Sequence, residues 1–290
     1  MVHLYLIGLI ERVVKMISKM KVGFIGAGNM AQMIIARLCQ SVYCDTPENI
    51  YFYNPTVEKR MHLKERYQIT ALESSKEIYE TCDIVVFAVK PQMFQSVCSD
   101  LGDVFEAKVK KPLVLSIMAG VNLEKLEHAI LHNRIVRIMP NTSAAIGKSM
   151  TTLSERGHLS EEDRKNTEAV FSAIGEILWV EEKYLDITSA INGTSPAFLY
   201  LIAEALADGA VRNGLTRNLA ENLIAETFIG VGMMLKESEK SSFTLKNEVS
   251  SPGGMTMRGL EVLEAHHLRY TLIEALTKAK EHSERLGKEA

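Results

Sequence analysis

The sequence contains few cysteines, and their spacing argues against two classes of protein. Only four occur in 290 residues, and none belongs to a C-x-x-C pair or has a histidine at metal-ligand spacing. They are Cys39, Cys44, Cys82 and Cys98. Neither a disulfide scaffold nor a Cys/His metal site is therefore expected. The pattern indicates reduced thiols in a cytoplasmic protein that binds no metal ion.

The chain also lacks an excess of charge of either sign. Its 33 Lys and Arg residues face 36 Asp and Glu residues, which leaves a formal net charge of -3. A protein that binds nucleic acid or an anionic membrane usually carries a basic field that concentrates the polyanion. We therefore expect neither nucleic acid nor a membrane among the partners.

Long uncharged apolar runs are absent as well. A membrane-spanning helix needs about 18 to 20 such residues, and no run reaches that length. The short run Leu4–Ile10 has no basic region before it and no small-residue cleavage site after it, so it is a poor signal peptide. We interpret residues 1–19 as a dispensable N-terminal extension rather than a membrane anchor.

The pattern of apolar and polar residues divides the remaining chain into two predicted domains. Residues 20–183 alternate apolar runs of strand length with amphipathic stretches, which is typical of a parallel sheet covered by crossover helices. The predicted strands are Val22–Ile25, Ile50–Tyr53, Ile84–Val89, Leu113–Ile117, Ile135–Met139, Met150–Leu153 and Ile177–Val180. In residues 184–290 runs of strand length disappear, and Ala, Leu, Glu and Met predominate, which predicts helices. The fold class is therefore α/β, with an N-terminal Rossmann-type doubly wound sheet followed by an all-helical domain.

One predicted helix of the second half is apolar nearly all round. Phe198, Leu201, Ile202, Leu206 and Val211 leave little of its surface polar. Because such a helix must be covered, we expect it to be buried in a larger assembly.

A glycine-rich turn follows the first predicted strand. Gly26, Gly28 and Ala31 form a G-x-G-x-x-A pattern in which Asn29 and Met30 open a helix. Gly26 would allow the tight turn and Gly28 would let a pyrophosphate approach the backbone, while the helix start offers free N–H groups. An ordinary glycine-rich turn is the alternative, but the strand before and the helix after favour dinucleotide binding.

The end of the second predicted strand indicates which nucleotide binds. An acid there would bind the ribose 2′-hydroxyl of NAD, whereas this chain has Asn54, Thr56, Lys59 and Arg60. Amide and hydroxyl donors with nearby cations suit a 2′-phosphate, so we predict NADPH, with NADH as a second donor. The alternative is that Lys59 and Arg60 form a solvated helix face.

Val89, Lys90 and Pro91 close another strand at the same edge of the predicted sheet. Ligands of doubly wound sheets lie at this carboxyl edge, which places the three residues among the cofactor-binding candidates. A lysine that turns into solvent is the alternative for Lys90.

A loop in the helical half departs from its surroundings. Ser250 to Thr256 reads Ser-Ser-Pro-Gly-Gly-Met-Thr, and one proline with two adjacent glycines breaks any helix. Free N–H groups from Gly253 to Thr256, at the start of the following helix, suit a carboxylate. A plain helix connector is the alternative.

These segments together resemble the pyrroline-5-carboxylate reductase family. They are, in chain order, Gly26 to Ala31, Val89 to Pro91, Arg137 to Thr142, Ala207 to Ala210, Asn213 to Leu215, and Val249 to Thr256 with Gly259, Leu260, Leu263 and Glu264. The resemblance covers about residues 20 to 285, and the Pro-Gly-Gly-x-Thr loop is its most specific part. It implies reduction of 1-pyrroline-5-carboxylate to L-proline, the last step of proline biosynthesis, with NAD(P)H as hydride donor. It also implies that the helical domain forms a homodimer or a multiple of dimers.

The resemblance further assigns individual residues. It implies that the Met255 and Thr256 amides hold the substrate carboxylate and that the Thr256 hydroxyl, the catalytic candidate, binds the ring nitrogen. The other residues that it places at the substrate are Glu239, Val249, Ser251, Gly253 and Gly254. Along the nicotinamide it places Met139, Pro140 and Asn141.

Two residues depart from the family pattern. Ser195 stands where the family usually has glycine, and Met255 stands where it often has threonine or alanine. Both affect the shape of the substrate pocket, so a related imine reductase with another substrate is one alternative. A non-catalytic NADP-binding regulatory protein of the same fold is the other, because fold does not determine function.

Overall fold

The computed structural model describes residues 20–40, 47–107 and 109–289, and the extension at 1–19 and Cys44 lie outside them. The chain divides into two compact units. Unit 1 comprises the residues up to Gly193 together with those from Lys280 onward, and unit 2 comprises Thr194–Ala279. This division lies ten residues after the predicted boundary at 183/184. The residues between the two belong to unit 1, where Leu185 is buried and Asp186 bonds both to Arg137 and to Ser283.

Unit 1 contains an eight-stranded sheet among its described residues. The strands are β1 (Val22–Ile25), β2 (Ile50–Tyr53), β3 (Thr70–Ala71), β4 (Ile84–Phe87), β5 (Leu113–Ser116), β6 (Ile135–Met139), β7 (Ser149–Ser154) and β8 (Gly175–Trp179). Their order is β3-β2-β1-β4-β5-β6-β7-β8. The first six strands pair in parallel, and the order reverses beside β1. A reversal of this kind in a doubly wound sheet creates the crevice where ligands bind.

The predicted Rossmann-type sheet is confirmed, with two differences in detail. Strand β3 was not predicted, because it has only two residues. Strand β7 runs antiparallel to β6, whereas β8 is parallel to β7. The antiparallel step arises because a short 3₁₀ turn, Thr142–Ile146, connects β6 to β7 and ends at Gly147 in the left-handed region. Only a longer crossover could have produced a parallel pair there.

Helices cover both faces of this sheet. They are α1 (Asn29–Gln40), α2 (Val57–Tyr67), α3 (Ser75–Thr81), α4 (Phe94–Ala107), α5 (Leu123–Ile130), α6 (Glu161–Ser172) and α7 (Leu185–Ser189). Alternate residues of β1 enter different hydrophobic clusters: Phe24 packs with Ile34 and Leu38, and Ile25 packs with Phe87 and other residues. Since successive strand residues point to opposite faces, one core lies on each side of the sheet.

Unit 2 is helical. Its elements are α8 (Ser195–Arg212), α9 (Arg217–Glu237), α10 (Ser242–Glu248), α11 (Met255–Ala265) and the start of α12 (Leu268–Glu289). Helices α8 and α9 pack against each other. Of the residues 194–279, only Ala207 and Ala220 are buried, whereas Leu201 is 65% exposed. Within the described part of the chain, no helix is long and apolar enough to cross a membrane.

Candidate functional site

The turn after β1 has a geometry that only glycine fits. Gly26 lies in the left-handed region with a φ of 94°, and its N–H donates to the Tyr53 carbonyl at 2.9 Å. A Cβ at Gly26 would stand 2.7 Å from the Ala88 carbonyl oxygen. The carboxyl ends of β1, β2 and β4 therefore meet at Gly26.

Gly28 and the start of α1 present open backbone at this edge. A Cβ built on Gly28 meets no atom within 4 Å, and Gly28 is exposed. The helix begins at Asn29, so the first N–H groups of α1 have no acceptor within the helix. Ala31 is buried against the sheet, as the predicted motif requires. The open backbone and the free N–H groups fit a pyrophosphate.

The end of β2 holds Arg60 in a fixed position. Its Nη1 donates to the Asn54 carbonyl at 2.9 Å, and its guanidinium lies 5.9 Å from the centre of the Tyr53 ring. The Arg60 side chain is only 15% exposed, so Arg60 is not a solvated helix-face residue. Lys59 is exposed, as that alternative reading had it. Thr56 caps α2 without a side-chain capping bond.

Glu73 is a residue of this region that the sequence analysis missed. Its Oε2 lies 2.9 Å from Arg60 Nη2. Glu73 follows β3, and because that two-residue strand was not predicted, the position of Glu73 beside β2 was not predicted either. The apolar segment Ile69 to Leu72, between α2 and the capping residue Ser74, was the available signal.

The segment after β4 lies at the same edge. Ala88 donates its N–H to the Ile25 carbonyl at 2.9 Å, and Pro91 begins a 3₁₀ turn. Val89 packs against one core, and Lys90 is exposed. An exposed Lys90 is compatible both with binding the cofactor and with a lysine that turns into solvent.

The segment after β6 is held by two asparagines. Asn141 Nδ2 donates to the Asn192 carbonyl at 2.8 Å, and its Oδ1 accepts from Ser143 N–H at 3.0 Å. Asn192 Nδ2 donates to the Met139 carbonyl at 3.0 Å and to the Met150 carbonyl at 2.9 Å. Because both asparagines are buried and bonded within unit 1, they position Met139, Pro140 and Asn141 as one segment. The sequence analysis missed Asn192.

In unit 2, the glycine-rich loop leads directly into α11. Gly253 lies in the left-handed region with a φ of 70°, and a Cβ at Gly254 would stand 2.5 Å from Ser251 Oγ. The positive φ of Gly253 therefore favours glycine there, whereas a side chain at Gly254 would require Ser251 to move. The Gly254 N–H donates to the Ser251 carbonyl at 3.0 Å, so it is not one of the free donors that the sequence analysis expected. The free N–H groups begin at Met255, the first residue of the helix.

The other substrate candidates of unit 2 are exposed. They are Glu239, Val249, Ser251, Met255 and Thr256, and Met255 is 94% exposed. Lys240 forms an ion pair of 2.6 Å with Glu248, which links the segments that carry Glu239 and Val249 across α10. Ser195, the other departure from the family pattern, is the first residue of α8.

The two sets of candidates lie on different units. Every cofactor candidate belongs to unit 1, and every substrate candidate belongs to unit 2. In the described ranges, no group of His, Cys, Asp and Glu residues could hold a metal ion. Among the described residues, Cys39, Cys82 and Cys98 form no disulfide.

Comparisons with known proteins agree with this geometry. A family model described as pyrroline-5-carboxylate reductase dimerisation matches residues 182–286, and one described as NADP oxidoreductase coenzyme F420-dependent matches residues 21–120. Pyrroline-5-carboxylate reductases of Synechocystis sp. and Escherichia coli are 35% and 36% identical to this chain, in each case over 92% of this chain and 98% of the relative. The crystal structure of the Plasmodium falciparum pyrroline carboxylate reductase with NADP bound has a TM-score of 0.83 at 33% identity, covering 93% of this chain and 99% of that one.

Proposed function

The chain belongs to the pyrroline-5-carboxylate reductase family, and we propose that it reduces 1-pyrroline-5-carboxylate to L-proline. The reaction is the last step of proline biosynthesis, and NADPH is the donor, with NADH as a second donor. The observation that carries the proposal is the start of α11, where free N–H groups lie beside the hydroxyl-bearing Thr256. This arrangement suits a substrate with a carboxylate next to a ring nitrogen.

The geometry of unit 1 supports the cofactor residues proposed from the sequence. Gly26 to Met30 fit the pyrophosphate, because the backbone at Gly28 is open and α1 begins there. Asn54, Thr56, Lys59 and Arg60 surround the ribose 2′-position, where an arginine accommodates a phosphate. Val89 to Pro91 and Met139 to Asn141 line the nicotinamide end. When bound, NADPH supplies the hydride that reduces the imine carbon.

The residues assigned to the substrate bind its carboxylate and orient its ring nitrogen. The N–H groups of Met255 and Thr256 donate to the carboxylate, and the positive end of the α11 dipole adds to this attraction. The Thr256 hydroxyl hydrogen-bonds to the ring nitrogen. A cyclic imine can arrive already protonated near neutral pH, so Thr256 needs only to orient the nitrogen and no strong side-chain acid is required. Glu239, Val249, Ser251, Gly253 and Gly254 shape the rest of the pocket.

The exposed apolar surface of unit 2 supports a homo-oligomer. Leu201 on α8 and Ile229 on α9 are both more than half exposed, as are several of their neighbours. A monomer rarely leaves so large an apolar surface in water, whereas a second copy of the chain would cover it. We propose a homodimer or a multiple of dimers, located in the cytoplasm. Sedimentation equilibrium at micromolar concentration should give at least twice the chain mass of 32.3 kDa. A monomer under those conditions would contradict this assembly.

The direct test follows NADPH absorbance with and without 1-pyrroline-5-carboxylate, and then repeats the measurement with NADH. Substrate-dependent oxidation that is faster with NADPH is expected. Thr256→Ala should lower kcat/KM by roughly 10- to 1,000-fold, the range for loss of one positioned polar contact. Thr256→Ser keeps the hydroxyl and is the matched control, so it should retain most of the activity.

Two outcomes would favour the alternatives. If NADPH binds but no imine is reduced, the chain is an NADP-binding regulatory protein. If another cyclic imine is reduced faster than 1-pyrroline-5-carboxylate, Met255 and Ser195 mark a change of substrate. An unchanged rate in Thr256→Ala would remove the role assigned to its hydroxyl.

A further inference from the structure

We propose that Glu73 reduces the preference of this protein for NADPH by competing with the 2′-phosphate for Arg60. This inference rests on the proposed function, because it takes the end of β2 as the place where the cofactor ribose is bound. It adds a specificity-determining residue that forms no part of the glycine-rich turn.

The contacts of Arg60 carry the first step. One side of its guanidinium donates to the Asn54 carbonyl at 2.9 Å, and the other donates to Glu73 Oε2 at 2.9 Å. The Tyr53 ring lies beneath it. Arg60 is only 15% exposed, whereas the Glu73 side chain is 74% exposed. The cation is therefore fixed against the protein, and the carboxylate reaches it from the solvent side.

The fold supplies the reason why Glu73 is there. Strand β3 pairs in parallel with β2, and the Leu72 N–H donates to the Phe52 carbonyl at 2.9 Å. The chain thus leaves β3 at the same edge where β2 ends. The Glu73 N–H donates to Glu77 Oε2 at 3.2 Å, and Ser74 caps α3, so the backbone at Glu73 is held in place.

The two charges have opposite effects on the two cofactors. An acid at the end of the second strand favours the ribose hydroxyls of NADH, whereas an arginine there accommodates the 2′-phosphate of NADPH. In this chain the arginine follows β2, the acid follows the neighbouring strand β3, and the two form one ion pair. With NADH, the Glu73 carboxylate accepts a hydrogen bond from a ribose hydroxyl. With NADPH, the phosphate has to displace the carboxylate from Arg60 and is repelled by it.

The competition for Arg60 is weak because the Glu73 side chain is largely exposed. An ion pair with one largely exposed partner is weak, because water and salt screen it. A phosphate monoester carries nearly two negative charges at pH 7 and binds arginine more strongly than a carboxylate does. The phosphate therefore prevails, and the preference for NADPH is reduced rather than reversed.

Glu73→Gln tests this inference by equilibrium binding in the absence of the imine substrate. The probes are NADPH and NADH, followed by nucleotide fluorescence, and 2′,5′-ADP and 5′-AMP, followed by calorimetry. We expect Glu73→Gln to bind NADPH and 2′,5′-ADP about 3- to 5-fold more tightly, the upper range for removing one partly exposed charge. NADH and 5′-AMP should bind equally well or more weakly.

Glu77→Gln is the matched control. It removes an exposed carboxylate that contacts the Glu73 backbone and leaves the ion pair with Arg60 in place. Its ratio of NADPH to NADH affinity should stay within twofold of the original protein. Arg60→Gln should lower NADPH affinity by about 10- to 100-fold, as expected for a charged hydrogen bond to phosphate, and Arg60→Lys should lie between. Combined with Arg60→Gln, Glu73→Gln should no longer tighten NADPH binding.

The outcomes separate this inference from the proposed function. If the original protein prefers 2′,5′-ADP over 5′-AMP but Glu73→Gln behaves like Glu77→Gln, Glu73 does not compete for Arg60 and only this inference fails. The same conclusion follows if Glu73→Gln tightens NADH and NADPH equally. If the original protein binds none of the four nucleotides, both proposals fail.

Discussion

Replacing Gly28 with alanine should abolish tight cofactor binding without weakening the fold. Gly28 lies outside the left-handed region, and a Cβ built on it meets no atom within 4 Å. The unbound protein therefore accommodates the methyl group freely. The same methyl group would project from the exposed backbone that the pyrophosphate must approach.

Gly26→Ala is the contrasting variant in the same turn. Its φ of 94° places an alanine in the left-handed region, which costs about 1–2 kcal/mol, and its Cβ would stand 2.7 Å from the Ala88 carbonyl oxygen. Relief of that overlap adds about 1–3 kcal/mol. We expect Gly26→Ala to lower the free energy of unfolding by about 2–5 kcal/mol and Gly28→Ala to change it by at most about 0.5 kcal/mol.

Urea unfolding and nucleotide fluorescence measure the two quantities separately. Unfolding is compared at one protein concentration, because the midpoint of an oligomer depends on it. For Gly28→Ala, the Kd for NADPH should rise at least 10-fold, or about 1.4 kcal/mol. If Gly28→Ala kept its NADPH affinity within twofold, the pyrophosphate would not lie at this glycine. If Gly28→Ala unfolded as easily as Gly26→Ala, the conclusion that Gly28 has room for a methyl group would be contradicted.

Two further predictions concern buried charges of unit 1. Arg137 is 3% exposed on β6 and pairs with Asp186 at 3.1 Å and Glu182 at 3.7 Å. Arg137→Met removes the cation from two acids that are themselves 26% exposed, so it should lower the free energy of unfolding in urea by about 1.5–3 kcal/mol. A loss below about 0.5 kcal/mol would contradict this. His132 Nδ1 accepts the Arg134 N–H at 3.1 Å, while burial and two neighbouring cations lower the His132 pKa to about 4. Because the unfolded chain then binds a proton that the folded chain does not, stability should fall by about 1–2 kcal/mol as the pH drops from 6.5 towards 4. His132→Gln should flatten this pH slope, and an unchanged slope would exclude His132 as its source.

Much of the fold could be predicted because each signal lies within a few residues. Strands β1 and β4 are buried on both faces and read as continuous apolar runs, so they were recognised. Strands β2, β5 and β6 were recognised as well, because most of their residues are apolar or aromatic. The phosphate-binding turn was recognised for a similar reason, since the strand, the glycines and the helix adjoin in sequence. Strand β3 gave no usable signal, because two residues are too few to show a period.

The site could be predicted less completely, because its contacts join distant residues. Asn192 supports Met139 and Asn141 from more than 50 residues away in the chain. Nothing in the local sequence distinguishes it from an asparagine in a turn. Gly254 shows the opposite case: the pattern suggested a free N–H, and the folded loop uses that N–H to bind the Ser251 carbonyl.

The amino-acid sequence by itself determined the alternation of strands and helices, the glycines at Gly26 and Gly253, and the change to helix in the second half. These follow from periodicity and backbone sterics, which act between near neighbours. The tertiary structure decided which charged groups meet. Arg60 is held by Glu73 only because β3 pairs with β2, and Arg137 is neutralised only because α7 packs against β7, the strand beside β6. Charge pairing depends on distances through space, and packing of the whole sheet sets those distances.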